Sequence, residues 1–117
     1  MPVAAVVTEL VGVVGKTYVK ALAGISDREL ITAWMSGAAG IQPRRDRAVR
    51  LALQTARVLM QRYDAKTVQS WLVGQNPRLE RRSAAAMIRE IAMGGLSDDR
   101  VEENAKAILD AAHASTE

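Results

Sequence analysis

The feature that most constrains this chain is the spacing of its apolar residues. They recur at helical intervals almost from end to end, and no stretch alternates long enough to make a convincing strand. Half of the residues are apolar (49%), yet Phe is absent and only two Trp and two Tyr are present. A core of Ala, Leu, Val, Ile and Met favours close-packed helices with small interfaces. The expected fold is therefore all-α, a compact bundle of five to seven helices. A chain of 117 residues makes one such unit, burying about 65% of the surface that its unfolded form exposes.

Capping residues divide the pattern. A first apolar helix is expected over residues 3–13, as a core or dimer helix, and a second over 16–23, ended by Gly24. Ser26 is a good N-cap for a third, with Ser26-x-x-Glu29 fitting a capping box; it ends near Ser36-Gly37. Pro43 opens a long fourth helix over 44–63. There Val49, Leu53, Ala56, Met60 and Tyr63 form one apolar stripe, and Leu51 and Val58 belong to a second. Two apolar faces require burial on both sides, within the fold or in a homodimer. A fifth helix covers 65–73, Ser83 caps a sixth that stops at Gly94-Gly95, and Ser97-Asp98-Asp99 caps the last. The organisation is residues 1–43 followed by residues 44–117, within one compact unit.

Charge is unevenly placed. Between Arg44 and Arg62 six arginines stand against Asp46 alone, a net +5, and between Asp98 and Glu117 six acids stand against Arg100 and Lys106, a net −4. A basic middle and an acidic tail suggest an anionic partner for one part and a different role for the other. The absence of Cys rules out disulfides, thiolate metal sites and thiol catalysis. The single His, His113, reads as a solvated side chain, so no metal and no cofactor are expected. The apolar N-terminus carries Glu9 and is too short to span a bilayer, which points to a cytoplasmic protein with no membrane partner.

The segment "YVKALAGISDRELITAWMSG" has the outline of a helix-turn-helix, two helices joined at Gly24. Val19, Ala23, Ile25, Leu30 and Ala33 are spaced to fill the angle between them. On that reading Asp27, Arg28, Ile31 and Thr32 face a major groove, while Lys16, Lys20, Arg44 and Arg45 meet phosphates of duplex DNA. Against it, Lys20 sits where such units usually carry Ala or Gly, and Asp27 and Glu29 bring negative charge to the same surface. A helical hairpin with solvated charged faces is the alternative.

The stretch "SWLVGQNPRLERRSAAAMIRE" breaks an apolar helix with Asn76-Pro77 and then sets Arg78, Arg81 and Arg82 around Leu79. Gly74 can supply a left-handed cap, proline forbids helix at Asn76, and Leu79 can drop back into the core beside Trp71. Arginines in such a loop suit an interface, because their guanidinium forks pair with carboxylates or phosphates. Taken by itself, the loop reads first as a rigid helix–loop–helix corner.

The order of these features over residues 12–92 resembles the Xre/MbcA/ParS family of antitoxin and antitoxin-like proteins. The matching features are Trp34-x-x-Gly37, Pro43, Trp71-Leu72, Asn76-Pro77-Arg78-Leu79 and the helix opened by Ser83. Glu80-Arg81 stand where many members carry Gly-Gly, and Ala84 where many carry proline. The resemblance implies an Xre-like helix-turn-helix that binds operator DNA and a C-terminal region that binds a cognate toxin. In this family that toxin is often a RES-type enzyme that consumes NAD+. Asn76, Arg78, Arg81 and Arg82 are the expected toxin contacts, and neutralisation would be steric. No G-x-S-x-G, P-loop, H-E-x-x-H or dinucleotide fingerprint appears, so the chain is not expected to be an enzyme. A DNA-binding regulator without a toxin, and a helical homodimeric interaction module, remain the alternatives.

Overall fold

The computed structural model describes residues 1–117. It contains α1 (Val3–Val14), α2 (Lys16–Ala23), α3 (Arg28–Ser36), α4 (Pro43–Met60), α5 (Ala65–Val73), one 3-10 turn (Pro77–Leu79), α6 (Ala84–Met93) and α7 (Asp98–Ser115). There is no strand, only an isolated bridge between Asn76 and Arg82. The all-α bundle expected from apolar spacing is the observed fold.

The helix boundaries follow local chemistry. Gly24 (φ 66) and Gly37 (φ 78) take the left-handed conformation that ends α2 and α3. Pro43 opens α4, where its missing N–H costs nothing. Ser83 and Ser97 accept hydrogen bonds from the amides of Ala86 and Arg100 at the starts of α6 and α7. Asp64 does the same for Thr67 at the start of α5.

One cap differs from expectation. Asp27, not Ser26, caps α3, its Oδ1 accepting from the Glu29 amide at 2.9 Å. The helix therefore begins at Arg28, and the Ser26–Glu29 capping box does not form. A carboxylate at the positive end of a helix also interacts favourably with the helix dipole, which a hydroxyl cannot match.

α4 is the axis of the molecule, packed against α1, α2, α5, α6 and α7. Val49, Leu51, Ala52, Leu53, Ala56 and Leu59 are all buried, so both apolar faces are covered within a single chain. The stripe stops earlier than its spacing suggests. α4 ends at Met60, which is 42% exposed, and Tyr63 lies half-buried with its hydroxyl donating to the Ser115 carbonyl. α1 is a core helix, burying Val6, Val7, Leu10 and Val14. Each such fully buried aliphatic side chain contributes about 1.5–3 kcal/mol.

Trp34 is the largest fully buried side chain, at 2% exposed. Its indole Nε1 donates to the Gly40 carbonyl at 3.1 Å, holding the loop between α3 and α4 against the core.

Candidate functional site

The Asn-Pro loop is built almost entirely by Asn76. Pro77 forces Asn76 into extended backbone (φ −122, ψ 119), and its Oδ1 accepts from the Arg78 amide at 2.9 Å. The Asn76 amide donates to the Arg82 carbonyl at 3.1 Å, and its carbonyl accepts from the amides of Leu79 and Arg81, both at 2.9 Å. Seven residues thus close on themselves around Asn76, through its backbone and its side chain. Leu79 drops into the core, 4% exposed, where the 3-10 turn packs on α7. Trp71 is half-buried and ties α5 to the end of α7, its Nε1 donating to Ser115 Oγ at 2.9 Å.

The left-handed conformation falls elsewhere than expected. Gly74 is extended (φ −75, ψ 151), and a Cβ there would lie 3.1 Å from the Ser70 carbonyl. The close approach to α5, not positive φ, is what suits glycine. Instead Glu80 (φ 56) and Arg81 (φ 67) are left-handed, and no other non-glycine residue is. Each costs about 1–2 kcal/mol relative to glycine in that conformation. The seven-residue closure enforces it, and both side chains end up exposed.

The four loop residues therefore divide. Asn76 shapes the loop, and Arg82 is used within the fold, donating to Glu90 Oε2 at 2.5 Å. Arg78 and Arg81 are exposed, and their guanidinium groups have no hydrogen-bond or ion-pair partner in the molecule.

The residues assigned to DNA divide in the same way. Arg44 Nε donates to the Ala92 carbonyl at the end of α6 at 2.9 Å. Its aliphatic stem fills the space above Gly94, where an added Cβ would lie 2.6 Å from Arg44 Cδ. Arg45 Nε donates to the Ala23 carbonyl at 3.0 Å and its Nη2 to the Gly24 carbonyl at 3.3 Å. Two arginines at the start of α4 thus cap the negative C-terminal ends of α6 and α2. Lys16 Nζ donates to Thr32 Oγ1 at 2.9 Å, pinning α2 to α3. Of the set, Arg28 is exposed and Lys20 half-buried, and both are unpaired.

The remaining arginines of the basic middle are also engaged. Arg47 pairs with Glu102 at 3.0 Å, Arg50 with Asp46, and Arg57 Nε with Glu9 Oε2 at 2.6 Å; Arg62 donates to the Glu117 carbonyl at 3.1 Å. The basic middle meets an acidic side chain of the tail in Arg47–Glu102, whereas Arg62 reaches only the Glu117 carbonyl. The hydrogen bond from Arg57 holds the Glu9 carboxyl below its ordinary value of 4.5 and raises the guanidinium in turn. The Thr67 amide holds Asp64 below 3.8.

A residue that sequence reasoning missed lies beside the loop. Asn104, on the buried side of α7, is 9% exposed and its Nδ2 has no acceptor. It lines a cleft of about 260 Å³ with Arg78, Leu79, Glu80, Met87 and Arg100 among its neighbours. The only sequence signal is a polar residue one position before the buried Ala105. A second, mostly apolar cleft of about 310 Å³ runs between α2, α5 and α6, past Tyr18, Leu22, Val73 and Ala85. No three His, Asp or Glu side chains gather as a metal site, and no helix is long and apolar enough to cross a membrane.

No protein-family model matches this chain, and neither any curated protein nor any solved structure does.

Proposed function

We propose that this chain is an antitoxin-type protein whose Asn-Pro loop binds and sterically blocks a cognate toxin, a RES-type NAD+-consuming enzyme being the candidate. The reading rests first on the resemblance over residues 12–92. The observation that carries it further is the backbone of Glu80 and Arg81. Many members of the resembled family place Gly-Gly at these two positions, and here both positions have positive φ. The loop keeps the glycine-favouring shape while presenting two charged side chains, a cost that local strain rules associate with function.

Arg78 and Arg81 are the proposed toxin contacts, since their guanidinium groups have no partner within the chain. Asn76 and Arg82 act by shaping the loop. Inhibition needs no chemistry from this chain, because covering the toxin's active-site entrance suffices.

The test is affinity purification of tagged protein from its own host at moderate salt, followed by assay of the recovered partner's NAD+ consumption. Arg78→Glu combined with Arg81→Glu is expected to release the partner with folding intact. Unchanged co-purification of that double variant would count against the reading. Arg82 is left alone, because reversing it would confront Glu90 and confuse binding with folding.

Binding of operator DNA through α2 and α3 is the second part of the proposal, supported by the exposed, unpaired Arg28 at the start of α3. Lys16, Arg44 and Arg45 already have partners within the fold, which leaves Lys20 and Arg28 to meet phosphates. Each neutralised phosphate contributes about −0.9 to the log–log salt slope, so two cations per chain give about −1.8, and five would give about −4.5. A slope near the larger value would mean that the capping arginines leave their helix ends on DNA. No binding at 50 mM salt, a low ionic strength where such contacts are strongest, would favour a helical interaction module instead.

A further inference from the structure

We propose that the apolar cleft between α2, α5 and α6 binds a small organic acid, an apolar body carrying one carboxylate. The site lies apart from the Asn-Pro loop and does not depend on the antitoxin reading.

The cleft encloses about 310 Å³, near the small end of the roughly 300–1,000 Å³ found for ligand sites, which are likewise mostly apolar with a few polar groups. Tyr18, Leu22 and Ala85, buried or half-buried, form its bottom, and Ala21, Val73 and Ala86 form exposed walls. Three of these six are alanines, whose methyl groups are too short to fill the space between the helices. Four large apolar side chains of the molecule stand in solvent, and two of them flank this region. Val73 is 48% exposed, and Met93, 52% exposed, lies against Gly24 together with the stem of Arg89. Apolar surface left open around a hollow marks a binding site rather than ordinary exposure.

Arg89 specifies the head of the ligand. Its stem reaches from α6 to the end of α2, with Cγ 3.8 Å from where a Gly24 Cβ would stand. Its guanidinium is exposed and has no hydrogen-bond or ion-pair partner in the molecule, and no Asp or Glu lines the cleft. The cleft beside the Asn-Pro loop differs here, since Glu80 and Glu103 balance its two free arginines. An uncompensated guanidinium fork pairs with a carboxylate and repels a cation. The other polar groups, the hydroxyls of Thr17 and Tyr18, are neutral donors. One positive charge above apolar walls suits a monoanion, because a dianion would stay undercompensated and lose water.

The extent of the lining selects a small molecule over a protein. Residues 17–22 of α2 and 85–89 of α6 are each less than two helical turns. A stable protein interface covers roughly 800 Å² on each partner, far more than such a hollow offers.

The test is an NMR titration of the 15N-labelled chain with octanoate, butanoate, octanol and inorganic phosphate. Octanoate is expected to shift the amides of Ala21, Leu22, Ala85 and Ala86 and the Arg89 Nε–H saturably, with a dissociation constant on the order of 1 mM. Each buried methylene strengthens binding about fourfold, so butanoate should bind at least about tenfold more weakly. Arg89→Gln should weaken octanoate about fivefold, the upper end for an exposed ion pair, and leave octanol unchanged. Ala86→Leu and Ala21→Leu place a good helix former at exposed positions on opposite walls, and each should fill the hollow and abolish saturation with the melting temperature unchanged.

Shifts that are absent, that scatter over the whole surface, or that phosphate reproduces overturn the proposal. Octanoate affinity untouched by both leucine variants overturns the cleft as the site. Octanoate affinity untouched by Arg89→Gln overturns the carboxylate.

Discussion

Two parts of this molecule are rich in arginine, and they use it in opposite ways. Along α4 and the turn after it, all six arginines have partners inside the chain: two helix C-termini, three carboxylates and the Glu117 carbonyl. In the Asn-Pro loop, Arg78 and Arg81 have none, and Arg81 is held in strained backbone that projects it into solvent. Local density of positive charge therefore says little about which guanidinium groups are left free. What matters is whether a guanidinium meets a carbonyl or carboxylate of its own chain first.

The largest effect is expected at the loop's anchor. Leu79→Ala should destabilise the protein by about 3 kcal/mol, because it removes a buried side chain and leaves a cavity. It should also abolish partner binding, as the ring closed by Asn76 loses its foothold. Urea unfolding measures the first effect, and a stability loss under about 1 kcal/mol would show that the loop is anchored otherwise.

At the start of α4, Arg45→Ala should cost about 2 kcal/mol by uncapping the carbonyls of Ala23 and Gly24. Arg78→Ala, in contrast, should stay within about 0.5 kcal/mol of wild type while weakening partner binding. Equal effects on stability from the two substitutions would dissolve the distinction between the two regions.

Arg81→Gly separates backbone strain from contact. Relief of left-handed strain should stabilise the chain by about 1 kcal/mol while removing a proposed contact. A variant that is more stable and also binds the partner as well as wild type would show that Arg81 is tolerated rather than used.

The smallest effect is electrostatic. Glu9 and Asp64 are held below 4.5 and 3.8, respectively, by the Arg57 guanidinium and the Thr67 amide. Depressed carboxyl values mean that their stabilising contribution is present at neutral pH and is lost as pH falls through the 4.5-to-3.8 range and below. Arg57→Gln should return the Glu9 titration toward 4.5, followed by carboxyl 13C NMR, and should slightly flatten the acid limb of the melting curve. A Glu9 midpoint unmoved by that change would mean that the pair does not form in solution.

Much of the fold was legible because helix formation is a local matter. Gly24, Pro43, Ser83, Ser97 and the apolar spacing act within a turn or two of themselves, and their helices start and stop close to where they were expected. The miss at Ser26 is equally local: two adjacent cap-forming residues compete, and the carboxylate of Asp27 won. The loop was legible as an Asn-Pro turn anchored by Leu79. Its left-handed residues were not, because φ at Glu80 and Arg81 is dictated by hydrogen bonds that close only when Asn76 and Arg82 come together.

Residue order alone makes this chain helical, requires α4 to be covered on both sides, and places a rigid arginine-bearing corner after α5. Periodicity and capping suffice for these, since they depend on neighbours in the chain. Which arginines are bound and which are free, that α4 is covered by its own chain, and that the Asn104 Nδ2 is buried without an acceptor emerge from the packing of the helices. Those outcomes depend on residues tens of positions apart meeting in space, and an arginine carries the same charge in the sequence whether or not a helix end will reach it.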